Sequence, residues 1–194
     1  MTTVFVAGSI TIKNLDFKVQ ERLMNIIARG HNVLVGDADG VDSSIQSFLQ
    51  QQGYDKVTVY CAGESPRNNL GDWPVHHVTT YHKPGTRAFF TAKDLAMAEA
   101  ADAGLMIWDM KSTGTLSNVL ELVRRKKCTW VFINKEKTFK AVKRVHHIET
   151  LADLMSTAAR MKADTKMGLN EKLIELHSRE QQFALLAERM PEVA

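Results

Sequence analysis

Five short apolar runs, interrupted by segments in which apolar residues recur at helical spacing, most constrain the fold of this chain. Within each run the apolar residues follow one another with little alternation, which is typical of parallel strands buried on both faces. We therefore predict an α/β fold, a three-layer sandwich with about five parallel strands. The predicted strands are Thr3–Ala7, Asn32–Gly36, Lys56–Cys61, Gly104–Asp109 and Cys128–Asn134.

Two segments depart from this regular succession of strands and helices. Residues 62–85 contain three of the chain's four prolines and three glycines among polar residues, which predicts a long irregular loop. A helix is expected after it, from about Arg87 to Ala101. Residues 140–147 predict a short basic edge strand, and a helix capped by Thr150 is expected to end at Met161.

The last part of the chain has an amphipathic pattern over a predicted helix from about Leu169 to Met190. Its apolar face could pack on the chain's own domain or form a homo-oligomer with a second copy, and the sequence leaves both open. We expect a domain at residues 1–149 and a C-terminal helical extension at 150–194. The apolar residues of the face are Leu169, Leu173, Leu176, Phe183 and Leu186.

Composition and charge are those of an ordinary soluble protein. A net charge of +3 on 194 residues neither requires nor excludes a polyanionic partner, and no apolar stretch approaches the length of a membrane span. The first residues have the pattern of a strand and not of a signal peptide. Cys61 and Cys128 provide no disulfide framework. We expect a cytoplasmic protein without membrane contact.

Three turns that contain glycine follow predicted strands and lead towards helices: Gly8–Ser9, Gly36–Asp42 and Ser112–Thr115. A helix that begins after a strand presents unpaired backbone N–H groups and the positive end of its dipole, which suits phosphates. If the strand order is 3-2-1-4-5, the three turns meet in one crevice beyond the carboxyl ends of the strands. The turns therefore predict a nucleotide site.

Two of these turns contain the candidates for phosphate and hydroxyl contacts. Gly114 and Thr115 begin a helix and are expected to contact a phosphate, with Ser112 as a further contact or only an N-cap. Gly8 and Ser9 end the first strand, where the Ser9 hydroxyl would donate a hydrogen bond to the ligand.

The other candidates are glycines and charged residues expected near the same crevice. Asp42 would bind a ribose hydroxyl, or its carboxylate would only interact favourably with the positive end of the helix dipole. Asp109 would bind ribose or act as an acid, and the charges on the helix that begins at Arg87 would bind ligand or face solvent. These candidates are Gly36, Gly40, Asp42, Arg87, Lys93, Asp94 and Asp109.

No metal or cofactor is predicted. The histidine pairs His76–His77 and His146–His147 are adjacent residues, which point to opposite faces of a strand and make no natural pair of ligands. The basic run from Lys135 to His147 contains only one Phe, Tyr or Trp, Phe139, which is little for base stacking, so contact with nucleic acid is not favoured.

The turns and the helix between them resemble the SLOG superfamily, and most closely its YspA-like branch. The resemblance covers about residues 3–135 and consists of four short patterns. It implies a Rossmann-like nucleotide-binding domain related to DprA, to LOG phosphoribohydrolases and to nucleoside 2-deoxyribosyltransferases. The patterns are a strand ending in Gly8-Ser9, Gly36-x-x-x-Gly40-x-Asp42, an Arg87-led helix with Lys93-Asp94, and Ser112-x-Gly114-Thr115.

One departure from the superfamily concerns catalysis. Asn118 lies where the resemblance implies that LOG enzymes and deoxyribosyltransferases have a catalytic Glu, and an amide cannot replace a carboxylate as nucleophile or general base. The first expectation is therefore a protein that binds a nucleotide or nucleotide-derived ligand. The alternatives are an N-glycosidic-bond hydrolase or transferase that uses Asp42 or Asp109, and a nucleic-acid-associated protein like DprA.

Overall fold

The computed structural model describes residues 1–189, which form one sheet and the helices around it. No helix in this range has the length and apolar character needed to cross a membrane. The strands are β1 (Thr3–Gly8), β2 (Asn32–Gly36), β3 (Val57–Ala62), β4 (Val75–Val78), β5 (Ala103–Trp108), β6 (Cys128–Ile133) and β7 (Thr138–Val142). The helices are α1 (Phe17–Ala28), α2 (Val41–Gln51), α3 (Arg87–Ala100), α4 (Thr113–Arg124), α5 (Val145–Asp153), α6 (Thr157–Met167) and α7 (Leu169–Arg189).

The strand order is β4-β3-β2-β1-β5-β6-β7, and neighbouring strands are parallel except β6 and β7. This confirms the α/β, Rossmann-like three-layer fold. The five predicted strands are β1, β2, β3, β5 and β6, and they lie in the order on which the shared crevice depends. Because β1, β2 and β5 are parallel, the turns after them lie at the same edge of the sheet, and the order reverses between β1 and β5.

Alternate residues of the strands pack on opposite faces of the sheet. On one face α1 and α2 bury residues such as Leu23 and Ile45 against strand residues such as Val6. On the other face, Met97 of α3 and Leu116 of α4 belong to a cluster that extends through α5, α6 and α7. The strands are buried on both sides, which explains why their apolar residues run on without alternation.

The segment predicted to be irregular contains one strand that the sequence did not indicate. Val75–Val78 pairs in parallel with β3 and forms the edge of the sheet. Its sequence is Val-His-His-Val, and both histidines are exposed. A strand of four residues with a polar centre gives no periodic signal, because two apolar residues do not define a pattern.

The prediction for residues 140–161 was wrong in its boundaries. The edge strand is Thr138–Val142, antiparallel to β6, and the single helix predicted from Thr150 is two helices, α5 and α6. The Thr150 hydroxyl donates to the His146 carbonyl oxygen inside α5 and caps nothing. Ser156 begins α6 instead, because its side chain accepts a hydrogen bond from the Ala159 N–H.

The first half of α7 packs on the chain's own core. Leu169, Leu173 and Leu176 are buried in the cluster that also contains α4. Further along, Phe183 is half exposed, and the Lys126 ammonium lies 3.6 Å from the centre of its ring. Met190 and the side chain of Leu186 lie outside the described part of the structure, and the homo-oligomer stays a prediction.

Adjacent residues of α7 provide a direct test of this packing. Leu173→Ala should lower the free energy of unfolding by about 2–5 kcal/mol, because it removes a buried side chain and leaves a cavity. The control Ile174→Ala alters a side chain that is 68% exposed and should change stability by no more than about 0.5 kcal/mol. Denaturant unfolding measures both. Equally small effects would show that α7 does not pack on its own domain.

Candidate functional site

The turns after β1 and β5 are joined by hydrogen bonds at Ser9. The Ser9 N–H donates to the Ile107 carbonyl oxygen at 2.9 Å, and the Asp109 N–H donates to Ser9 Oγ at 3.1 Å. Ser9 Oγ also lies 3.4 Å from Thr115 Oγ1 at the start of α4. Because Ser9 is fully buried, its hydroxyl connects three elements of the protein and does not project into solvent.

The turn after β2 packs against the turn after β1. Gly40 has φ of +79°, and a Cβ there would overlap the backbone of Ile10. Ser44 Oγ of α2 donates to the Lys13 carbonyl oxygen at 2.7 Å. The three predicted turns therefore form one continuous surface at the carboxyl edge of the sheet.

Packing within the protein accounts for three of the four candidate glycines. A Cβ at Gly8 would overlap the Ile107 carbonyl oxygen and lie 2.8 Å from the Val41 methyl groups. A Cβ at Gly36 would overlap the Asp42 carboxylate and the Lys93 ammonium. The space beside Gly114 is open by contrast, since the nearest atom to a Cβ there would be Ser112 Oγ at 3.9 Å. Contact of Gly8, Gly36 and Gly40 with a ligand stays a prediction.

A buried cluster of charged residues lies beneath the turn after β2. Lys93 of α3 is 3% exposed, and its ammonium lies 3.2 Å from Asp94, 3.6 Å from Asp37 and 3.8 Å from Asp42. Arg67 donates two side-chain hydrogen bonds to Asp37, at 2.8 and 3.1 Å, and its backbone N–H donates a third. The cluster thus connects α3, α2 and the segment between β3 and β4.

The environment shifts the pKa values of these groups in different directions. Burial raises the pKa of Asp42 to about 6, although the nearby Lys93 ammonium opposes the shift. Burial acts in the same direction on Asp37, but hydrogen bonds from Arg67 outweigh it and lower the pKa of that carboxyl. Burial alone would lower the pKa of Lys93. The carboxylates of Asp94, Asp42 and Asp37 outweigh burial and raise that pKa. Asp42 is thus the member of the cluster that titrates near neutral pH.

Asp109, the other predicted catalytic carboxylate, holds the turn after β5 in place. Its Oδ1 accepts from the N–H groups of Lys111 and Ser112, and its Oδ2 accepts from the Thr11 hydroxyl at 2.8 Å. Burial would raise its pKa, but these hydrogen bonds outweigh burial and lower it. Asp109 is therefore an ionised carboxylate whose acceptor positions are largely occupied by the protein.

Ser112 caps the start of α4, but within residues 1–189 some backbone N–H groups of the first turn remain without a hydrogen-bond acceptor. Ser112 Oγ accepts from the Thr115 N–H at 3.3 Å, and the Ser112 carbonyl oxygen accepts from the Trp108 indole. The N–H groups of Thr113 and Gly114 have no acceptor among the described residues. Arg87 of α3 donates to Thr113 Oγ1 at 3.0 Å, so a guanidinium lies beside these free N–H groups.

Asn118 lies one helical turn after Gly114, on the same side of α4. It is 7% exposed, and no hydrogen bond of its amide is found in the described part of the chain. Asp94 is less buried than the other acids of the cluster and accepts from Lys93. The structure therefore places the predicted residues in two groups, one at the start of α4 and one around Lys93.

Sequence reasoning missed three parts of this arrangement. It did not single out Asp37 or Arg67, and it left Lys93 between a ligand contact and a solvated face. One signal was present for Lys93: it lies four residues before Met97, which is fully buried, and so shares its helix face. Arg67 comes from an irregular segment, in which no periodicity indicates which residues turn inward.

Comparisons with known proteins add no family to this geometry. No protein-family model matches the chain, and no curated protein sequence matches it significantly. The resemblance to the SLOG superfamily stays a prediction. Within residues 1–189, no three side chains of the His, Cys, Asp and Glu types are grouped as a metal site requires.

The raised pKa of Asp42 makes the stability of the fold depend on pH. Since the pKa is about 6 in the folded protein and near 3.9 in an unfolded chain, the folded state retains a proton that the unfolded state loses. This contribution is present below pH 4 and is lost as the pH rises through 6.

Asp42→Asn removes this titration. Relative to the wild type, the variant should gain about 2–3 kcal/mol of stability between pH 4 and pH 7. Urea unfolding at several pH values measures the difference. The matched control is Asp39→Asn, an exposed position in the same turn, which should keep the pH dependence of the wild type. If the free energies of unfolding of wild type and Asp42→Asn differ by the same amount at every pH, the raised pKa of Asp42 is contradicted.

Proposed function

We propose that this chain binds a nucleotide or nucleotide-derived ligand at the carboxyl edge of the sheet, with a phosphate at the start of α4. The observation that carries the proposal is the open space at Gly114, beside two N–H groups without a protein acceptor. Free N–H groups and the positive end of the helix dipole favour an anion at this position.

Two further residues support this position for the phosphate. Arg87 brings a positive charge to Thr113 from the neighbouring helix, and guanidinium groups bind phosphate oxygens through paired hydrogen bonds. The Asn118 amide makes no hydrogen bond to the described residues, so its donor and acceptor positions have no protein partner. A phosphate or ribose oxygen bound one turn earlier in α4 would supply that partner.

The arrangement favours binding without cleavage of the N-glycosidic bond. Cleavage passes through an oxocarbenium-like state and needs a carboxylate close to the anomeric carbon. Asp109 accepts two hydrogen bonds from its own turn and one from Thr11, and Asp42 is 5% exposed beneath Gly36 and beside Lys93. Neither carboxylate is presented freely to a ligand at α4, and position 118 carries an amide.

Gly114→Val tests the proposal directly. A branched side chain should fill the space in which the anion lies and reduce the affinity for ADP by at least 100-fold. The fold should persist, because a Cβ at Gly114 meets no atom closer than 3.9 Å and its φ is not positive. Isothermal titration calorimetry measures the affinity, and thermal unfolding checks the fold.

Helix α6 offers a matched control for this substitution. Like Gly114 in α4, Ala158 is the second residue of a helix capped by a serine, and it is exposed. Ala158→Val should leave ADP affinity unchanged. Equal affinity of Gly114→Val and the wild type for ADP would contradict this position for the phosphate, and a wild type that does not bind ADP would contradict nucleotide binding of this kind.

A further inference from the structure

A second feature of the carboxyl edge is a cavity of about 470 Å³ beyond the ends of β3 and β4. Its volume falls in the range of about 300–1,000 Å³ that is usual for small-molecule sites. Gly63 follows β3, Val78 ends β4, and Phe89 of α3 forms the wall on the helix side. The polar side chains around it belong to Glu64, His77, Thr79 and Thr80.

The first turn of α3 connects this cavity with the start of α4. Arg87 reaches Thr113 of α4, and Phe89, two residues later, lines the cavity. The rings of Phe89 and Phe90 pack edge to face, with their centroids 5.3 Å apart. The Arg67 guanidinium lies 4.6 Å from the centre of the Phe90 ring. The buried charge cluster therefore also fixes the wall of the cavity, through Arg67.

The chemistry of the cavity differs from that of the start of α4. The Glu64 carboxylate would repel a phosphate but accepts hydrogen bonds from amino or hydroxyl groups. His77 Nδ1 lies 3.0 Å from the Gly63 carbonyl oxygen and donates to it, which leaves Nε2 for a ligand. The face of Phe89 suits an aromatic base. These groups fit an uncharged, flat ligand part with hydrogen-bond donors.

The distance between the two features restricts the length of a ligand that occupies both. β3 and β5 are three strand spacings apart in the sheet, which corresponds to about 14 Å. A nucleoside monophosphate is too short to place its base in the cavity and its phosphate at α4. A second phosphate provides the missing length, and the exposed Arg87 lies between the two positions.

We propose that the cavity at Phe89 holds the amino-bearing base of a nucleoside diphosphate whose terminal phosphate lies at the start of α4. The inference rests on the proposed function and adds to it the length and the base of the ligand. The base stacks on Phe89, its amino group donates to the Glu64 carboxylate, and the diphosphate passes Arg87.

Affinities for ADP, AMP and inorganic pyrophosphate test the length and the base separately. By calorimetry the wild type should bind ADP at least tenfold more tightly than either AMP, which cannot reach both positions, or pyrophosphate, which has no base. AMP or pyrophosphate that binds as tightly as ADP overturns the inference.

Phe89→Leu tests the stacking contact while keeping an apolar side chain in the wall. It should weaken ADP roughly 5- to 150-fold, as expected for the loss of one base–aromatic contact, and leave pyrophosphate affinity unchanged. Phe17→Leu is the control, because Phe17 is 63% exposed at the start of α1 and touches neither position. Unchanged circular dichroism verifies the fold of Phe89→Leu.

Inosine diphosphate (IDP) tests the contact at Glu64, because its base has an oxo group in place of the amino group of the ADP base. The wild type should prefer ADP to IDP, and Glu64→Gln should reduce that preference at least fivefold. Equal binding of ADP and IDP by the wild type overturns the assignment of Glu64. ADP affinity that Gly114→Val abolishes but Phe89→Leu leaves intact overturns the base position alone, whereas a wild type that binds no ADP overturns the proposed function as well.

Discussion

The arrangement of the carboxyl edge depends on one buried ammonium group, that of Lys93. Without it, the Asp42 carboxylate would lie in a nearly dry interior with no cation beside it, which costs several kcal/mol, and Asp37 would keep only Arg67. With it, α3 is held to the first turn of α2 and to the turn after β2. Arg67 shares Asp37 and brings the segment after β3 to the same place. One cation thus fixes three of the elements that surround the proposed site.

Close packing of the turns leaves only part of this edge open. Gly8, Gly36 and Gly40 have no side chain because protein atoms occupy that space, and Ser9 links the turns from inside. At Gly114 the corresponding space is empty, and the N–H groups beside it have no protein acceptor. The four glycines look equivalent in the sequence, but protein atoms occupy the side-chain space at three of them and leave it empty at Gly114.

The sequence predicts the fold better than the site, for physical reasons. Apolar runs buried on both faces leave a strong local signal, so β1, β2, β3, β5 and β6 were predictable, whereas their order was only assumed. β4 was not, because its pairing depends on β3 and not on its own Val-His-His-Val sequence. The three turns were also expected to lie together at one edge of the sheet, and they do.

The buried charges could not be predicted, since they depend on contacts between distant residues. Lys93 and Asp37 are 56 positions apart in the chain, and each alone has the residue type of a solvated surface. The role of Asp109 was equally hidden. Its position at the end of a strand suggested chemistry, whereas its hydrogen bonds to Thr11 and to the N–H groups of its own turn show a structural task.

The amino edge of the sheet offers a rival position for a ligand. A cavity of about 340 Å³ there is lined by Arg22, Arg29 and Trp130, which combine positive charge with an aromatic ring but include no helix N-terminus. A two-dimensional amide NMR titration of the ¹⁵N-labelled protein with ADP separates the two edges. The account predicts that the largest shifts fall on the N–H groups of Thr113 and Gly114. Largest shifts at Arg22, Arg29 and Trp130, with Thr113 and Gly114 unchanged, would contradict it.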